Sequence, residues 1–152
     1  ESHAFGWDVE RRAQVWKRPL ALTAAALSHD GRYAAVATRG SRAIEILDQE
    51  TGDVRATLNT PNEEVQRCLC WSPAGHRLLY GLDDGHLALA EVDVTALAPG
   101  SVTDLTGPSV IFQTGRLSAV RAVSFARDGS LVVAGTADGS VYAWQLPARR
   151  GG

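Results

Sequence analysis

The 152 residues carry 45% hydrophobic and 21% charged side chains with a formal net charge of −2, the make-up of a soluble globular chain with enough apolar material for a core. That charge gives no electrostatic case for a duplex-binding protein or a polybasic membrane-surface protein, and no run approaches the roughly 18 apolar residues of a membrane span. Cys68 and Cys70 stand too close on one strand to pair comfortably, which fits a reducing compartment, cytoplasmic or nuclear. Methionine is absent even at position 1, as expected of an excerpt or a processed product.

In chain order, the elements predicted are all strands. Phe5 to Val9 and Ala13 to Lys17 form a first pair. Apolar stretches then run Ala21 to Leu27, Val65 to Trp71 and Ala119 to Phe125, each closed by a glycine turn: Ser28-His29-Asp30-Gly31, Ser72-Pro73-Ala74-Gly75 and Ala126-Arg127-Asp128-Gly129. A second strand follows each turn (Tyr33 to Thr38, Arg77 to Leu82, Leu131 to Thr136). Short hairpins at Arg39-Gly40-Ser41, Asp83-Asp84-Gly85 and Ala137-Asp138-Gly139 then lead into a third (Ala43 to Leu47, His86 to Ala90, Ser140 to Trp144). Val54 to Leu58 and Ser109 to Gln113 supply a fourth, more polar strand. The total is 13 strands, and helical periodicity is absent. The turn glycines Gly31, Gly75 and Gly129 lie 44 and then 54 residues apart, a recurrence that signals a stacked or radial repeat. The ten extra residues fall around Thr95 to Ser101 and are expected as a surface loop.

These residues resemble the WD-repeat β-propeller family over about 5–147. Trp7-Asp8 and Leu47-Asp48 close third strands, with Ala90-Glu91 and Trp144-Gln145 as degenerate versions. Leu69 to Gly75 and Ala134 to Trp144 carry the two longer motifs, the last repeat being the most specific. The resemblance implies an all-β fold of four-stranded antiparallel propeller blades, about three plus a partial one, in an incomplete ring. Its segments are 5–17 (partial blade), 20–60, 64–114 with an insertion at 94–107, and 118–147 (a final blade lacking its outer strand). The count points to part of a larger propeller of about seven blades, or to a second chain that completes the ring. The resemblance gives structural roles to Trp7, Asp8, Asp48, Thr136, Asp138 and Trp144. It also marks a departure: where the family often has Gly-His, this chain has Gly115-Arg116.

Strand alternation puts Thr23, Arg67 and Arg121 at one repeated position on the face of Leu27, Trp71 and Phe125. By the resemblance this position lines the upper channel, flanked by the hairpin sites Arg39, Asp83 and Ala137. Two readings stand there. Arg67 and Arg121 form a cationic patch for an acidic or phosphorylated partner, or they pair with Asp83 and close the channel. Cys68, Cys70, Ala24, Ala26, Ala122 and Ser124 share the opposite face, and packing explains that set better than metal or redox chemistry. Nucleophile elbows, phosphate loops and zinc motifs are absent, so no catalytic residue, metal or cofactor is assigned. The expected role is a non-enzymatic scaffold or adaptor binding a protein or peptide on the top face and loops. The alternative is a regulatory or sensor propeller of a larger signalling protein or enzyme (NTPase, kinase or peptidase type). An RNA partner is disfavoured by net charge.

Overall fold

A computed structural model describes residues 2–60, 65–105, 107–108 and 110–146, with the backbone alone for 65–67. The fold is all-β, in small sheets that follow one another along the chain. Strands β1 (Ala4–Asp8) and β2 (Ala13–Arg18) form an antiparallel pair. A second sheet is built from β3 (Leu22–Leu27), β4 (Tyr33–Thr38), β5 (Ala43–Asp48) and β6 (Val54–Asn59). Strands β7 (Val65–Trp71), β8 (Arg77–Leu82), β9 (His86–Glu91) and β11 (Val110–Gln113) make the third, and β12 (Val120–Phe125), β13 (Leu131–Thr136) and β14 (Val141–Gln145) the fourth. The remaining strand, β10 (Thr103–Leu105), joins the second sheet.

The glycine turns explain the repetition. In each, the amide after the inner strand bonds across the turn, Ser28 to Tyr33 at 2.8 Å, Ser72 to Arg77 at 2.9 Å and Ala126 to Leu131 at 2.8 Å. The glycine amide then bonds back, Gly31 to Ser28, Gly75 to Ser72 and Gly129 to Ala126, each at 2.9 Å. Closing this ring takes a positive φ, which Gly31, Gly75 and Gly129 supply at +72, +76 and +75°. Ser28 and Ser72 accept the amides of Tyr33 and Arg77 at 3.1 Å, and Asp30 and Asp128 accept from Arg32 and Ser130 at 3.0 Å. Side chains and backbone thus specify one turn three times over.

Alternation within the strands places the core between sheets. Tyr33, Ala35, Ala37, Ile44 and Ile46 of the second sheet meet Leu78, Tyr80 and Leu82 of the third. The other face of the third sheet sends Leu79, Leu87 and Leu89 against Val120, Val132 and Ala134 of the fourth. The β8 run Arg-Leu-Leu-Tyr-Gly-Leu is therefore buried on both sides, which removes the polar half of the usual alternation. Cys68 and Cys70 lie in this second interface as small apolar groups. The Cys68 thiol donates to the Val120 carbonyl at 3.3 Å, and burial pushes its pKa up to about 11. Ala24 and Ala26 pack against the first interface, whereas Ala122 and Ser124 are exposed. No described sheet covers that side of β12. The first pair docks on the second sheet through Trp16, which packs with Ala34, Val36 and Leu47 and donates its indole N–H to the Gln49 carbonyl at 2.9 Å.

Three features depart from the sequence reading. The described residues hold fourteen strands rather than 13. The additional one, β10, lies in the insertion expected as a loop, after a single 3-10 turn at Val94–Ala96. It pairs parallel with β6, Thr103 opposite Ala56 and Leu105 opposite Leu58, so the second sheet has five strands, not four. A three-residue strand with no alternation of its own leaves no periodic signal; the neighbouring edge recruits it. The arrangement remains that of successive blades of an incomplete propeller.

Candidate peptide-binding face

Each inner strand enters its sheet through an irregularity. The pairing of β3 with β4 shifts between Leu22 and Ala24, and that of β12 with β13 between Val120 and Ala122. Thr23 and Arg121 are the residues inside these bulges. A bulge re-aims the side chain it contains, so the two repeated positions leave the plain strand alternation that singled them out. Arg67 lies within the corresponding irregular stretch, between Val65 and Leu69; its side chain is outside the described residues.

The hairpin positions sit beside these bulges. The Arg39 amide donates to the Ala21 carbonyl and the Ala137 amide to that of Ala119, both at 2.9 Å, which ties each hairpin to the mouth of the inner strand of its own sheet. Arg39, Asp83, Arg121 and Ala137 are exposed, while Thr23 is half-buried with its hydroxyl donating to the Ala37 carbonyl at 3.3 Å. Arg42, which the sequence reading did not single out, is exposed one residue beyond the Arg39-Gly40-Ser41 hairpin. Its carbonyl takes the Thr60 amide at 2.7 Å, which holds it at the same end of the sheet. Its position straight after a glycine hairpin was the available signal.

Two of the carboxylates at this end are engaged, while Asp83 stands exposed. Asp84 accepts the His86 amide at 2.9 Å and pairs with the His86 ring. Asp138 accepts the Thr136 hydroxyl at 2.6 Å and the Ser140 amide at 3.0 Å, and the Arg116 guanidinium stands 3.6 Å away. The Thr136 hydroxyl, the Ser140 amide and Arg116 together hold the Asp138 carboxyl below the usual range. Arg116, which stands where the family often has a histidine, is thus the basic group beside Asp138. Trp144 packs on Phe112, ring centroids 5.3 Å apart, and stacks with Tyr142 at 5.9 Å. Among the described residues Arg39, Arg42 and Arg121 enter no ion pair, so Arg121 does not close on Asp83.

Asp8 and Asp48 hold the turns after β1 and β5. Asp8 accepts the Arg11 amide at 2.9 Å, and Asp48 accepts that of Glu50 at 2.8 Å and the Arg55 guanidinium at 3.1 Å. Burial works against the Asp48 anion, yet these bonds leave its pKa lowered. Trp7, the remaining residue expected in a structural role, is 60% exposed. Among the described residues, no group of three or more His, Cys, Asp or Glu is placed to hold a metal ion, and no helix is long and apolar enough to cross a membrane.

Sheets of this build, laid side by side with their hairpins at a shared end, define a repeat protein of the propeller type. Residues 107–145 match the family described as WD domain, G-beta repeat. The matched segment runs from β11 to β14 and therefore bridges the outer strand of one sheet and the three strands of the next. The chain carries a WD repeat there, which indicates a protein-interaction or scaffold role. No curated protein matches the chain.

Proposed function

We propose that this chain is a non-catalytic scaffold or adaptor that binds a protein or peptide at the hairpin end of its sheets, and that the bound segment is acidic or phosphorylated. One observation carries this: Arg39, Arg42 and Arg121 are exposed and enter no ion pair among the described residues, while the hairpin carboxylates Asp84 and Asp138 are already engaged. Guanidinium groups offer forked donors that fit carboxylate and phosphate, and donors left unpaired on a rigid sheet end are available to a ligand. The hairpins add specificity at little ordering cost, because the sheets hold them fixed before the partner arrives. The free thiols of Cys68 and Cys70 support a reducing compartment as the place of action.

The test is fluorescence anisotropy with phosphorylated and poly-acidic peptides against Arg39→Ala, Arg42→Ala and Arg121→Ala. A charge-assisted hydrogen bond contributes about 1.5 kcal/mol or more, so each lost contact weakens binding about tenfold. Unchanged affinity in all three variants, with circular dichroism intact, removes the patch.

A further inference from the structure

The end of the sheets opposite the hairpins carries a cavity of its own. Inner strands enter at the hairpin end and leave at their glycine turns. Leu22 of β3 pairs with Thr38, beside the first hairpin, and Leu27 pairs with Ala34, beside the turn Ser28 to Gly31. Six-residue strands hold the two ends about 20 Å apart. At the glycine-turn end a cavity of about 400 Å³ opens around Cys70 to Pro73 of the third sheet, which is packed between the second and the fourth.

The repeat builds this cavity from two positions in each sheet. The last residues of the inner strands, Leu27, Trp71 and Phe125, form its walls, and the second residues of the glycine turns, His29, Pro73 and Arg127, complete its lining. Its walls are locked before any ligand arrives. The Trp71 indole N–H donates to the Ala26 carbonyl at 3.1 Å, which ties the third sheet to the second, and Phe125 packs into the interface of the fourth with the third. The chemistry changes along the row of turns. In the middle turn Pro73 and Ala74 stand where the outer turns have His29-Asp30 and Arg127-Asp128, so the centre is apolar and uncharged. On the flanks His29 and Arg127 are exposed, and neither enters an ion pair among the described residues. Asp30 and Asp128 are engaged within their own turns, where they accept the Ser28 and Ser130 hydroxyls at 2.6 and 2.7 Å.

We infer that this cavity is a second peptide-binding site, and that its ligand is an extended segment with a large apolar side chain two residues from an aspartate or glutamate. The apolar side chain sits against Trp71, Pro73 and Phe125, and the carboxylate meets the guanidinium fork of Arg127. Packed sheets stand about 10 Å apart, and residues i and i+2 of an extended chain lie about 7 Å apart on one side. One such pair therefore reaches from the middle turn to the next, with the Arg127 side chain covering the difference. His29 offers a ring N–H in either tautomer to a peptide carbonyl on the other flank. Charge complementarity selects an acidic segment over a basic one, and the uncharged centre disfavours a purely acidic one. A scaffold with ligands at both ends of its sheets bridges two partners.

The experiment uses the full 152-residue chain and a fluorescein-labelled peptide, acetyl-Ser-Gly-Phe-Gly-Glu-Ser-amide. A second version carries photoreactive benzoylphenylalanine in place of its phenylalanine, and mass spectrometry is expected to place the cross-links in residues 27–29, 70–74 and 125–128. In anisotropy, replacing the peptide's phenylalanine by alanine or its glutamate by glutamine is expected to weaken binding about tenfold, and so is Arg127→Glu. His29→Glu is expected to weaken it in the same direction. Both protein positions are exposed, so each variant is expected to retain its circular dichroism; if one does not, the other decides. Arg121→Ala is expected to leave this binding unchanged. Four outcomes overturn the site and leave the hairpin face standing: no saturable binding up to millimolar peptide, cross-links at the hairpins, equal binding of a poly-acidic peptide, or affinity indifferent to both variants. Loss of the hairpin patch with these results intact overturns only that face.

Discussion

Replacing Gly81 by alanine tests whether the third and fourth sheets are packed as closely as described. Gly81 lies in β8, and a Cβ built there would stand 2.5 Å from the Cys68 sulfur and 2.6 Å from both Cβ and Cγ1 of Val120. Ordinary contacts lie near 3.4–4 Å, so something must give by about 1 Å. Neither obstacle is a flexible tip. Cys68 is 6% exposed and its thiol is bonded to the Val120 carbonyl, and Val120 is fully buried. Overpacking of this kind costs about 1–3 kcal/mol, and two rigid obstacles argue for the upper end. The reduced freedom of the unfolded alanine chain offsets about 0.4–1 kcal/mol. A net loss of about 2 kcal/mol in a chain of this size lowers Tm by about 4–8 °C. Thermal and urea denaturation followed by circular dichroism measure it. Gly135→Ala is the control: Gly135 also lies mid-strand, in β13, but a Cβ there meets nothing within 4 Å. Equal stability of the two alanine variants would refute the close approach.

Two further outcomes follow from buried and turn groups. The Tyr80 hydroxyl is buried without a partner among the described residues, and burial drives its pKa upward. Tyr80→Phe is therefore expected to leave stability unchanged or raise it by up to about 2 kcal/mol, and a loss above about 1 kcal/mol in urea titration would contradict the orphaned hydroxyl. Hydrogen bonds from Ser28, Ser130 and Thr136 lower the carboxyl pKa values of Asp30, Asp128 and Asp138. A lowered folded value stabilises above the unfolded pKa of about 4 and loses that contribution as pH falls through the folded value. Tm should stay level down to about pH 5 and fall below about pH 4. Asp30→Asn/Asp128→Asn should flatten the acid limb; an unchanged limb rejects the assignment.

The glycine turns and strand order were legible because each is written twice, once in hydrophobic alternation and once in turn chemistry. Ser28, Asp30 and Gly31 each supply a separate bond or dihedral to the same turn, so a local reading suffices. Strand β10 was not legible. Thr103-Asp104-Leu105 has no pattern of its own, and its pairing is decided by the edge of β6, far away in sequence. The candidate site was legible as positions but not as geometry. Equal spacing placed Thr23 and Arg121 together, yet the bulges holding them follow from backbone pairing, which a residue count does not carry. The role of Arg116 beside Asp138 was visible only as a missing histidine. Arg42 went unremarked because it lacks a counterpart in the other repeats.

Strand β10 also sets an order of events. The edge of β6 is complete once Asn59 has been made, but its parallel neighbour begins at Thr103, after all of β7, β8 and β9. During synthesis at about 5–20 residues per second, that edge stays open for a few seconds while the third sheet emerges. Closing it late makes the second sheet's perimeter contingent on the third, so a translational pause before Thr103 would prolong the interval in which a neighbouring nascent chain can pair with β6 instead.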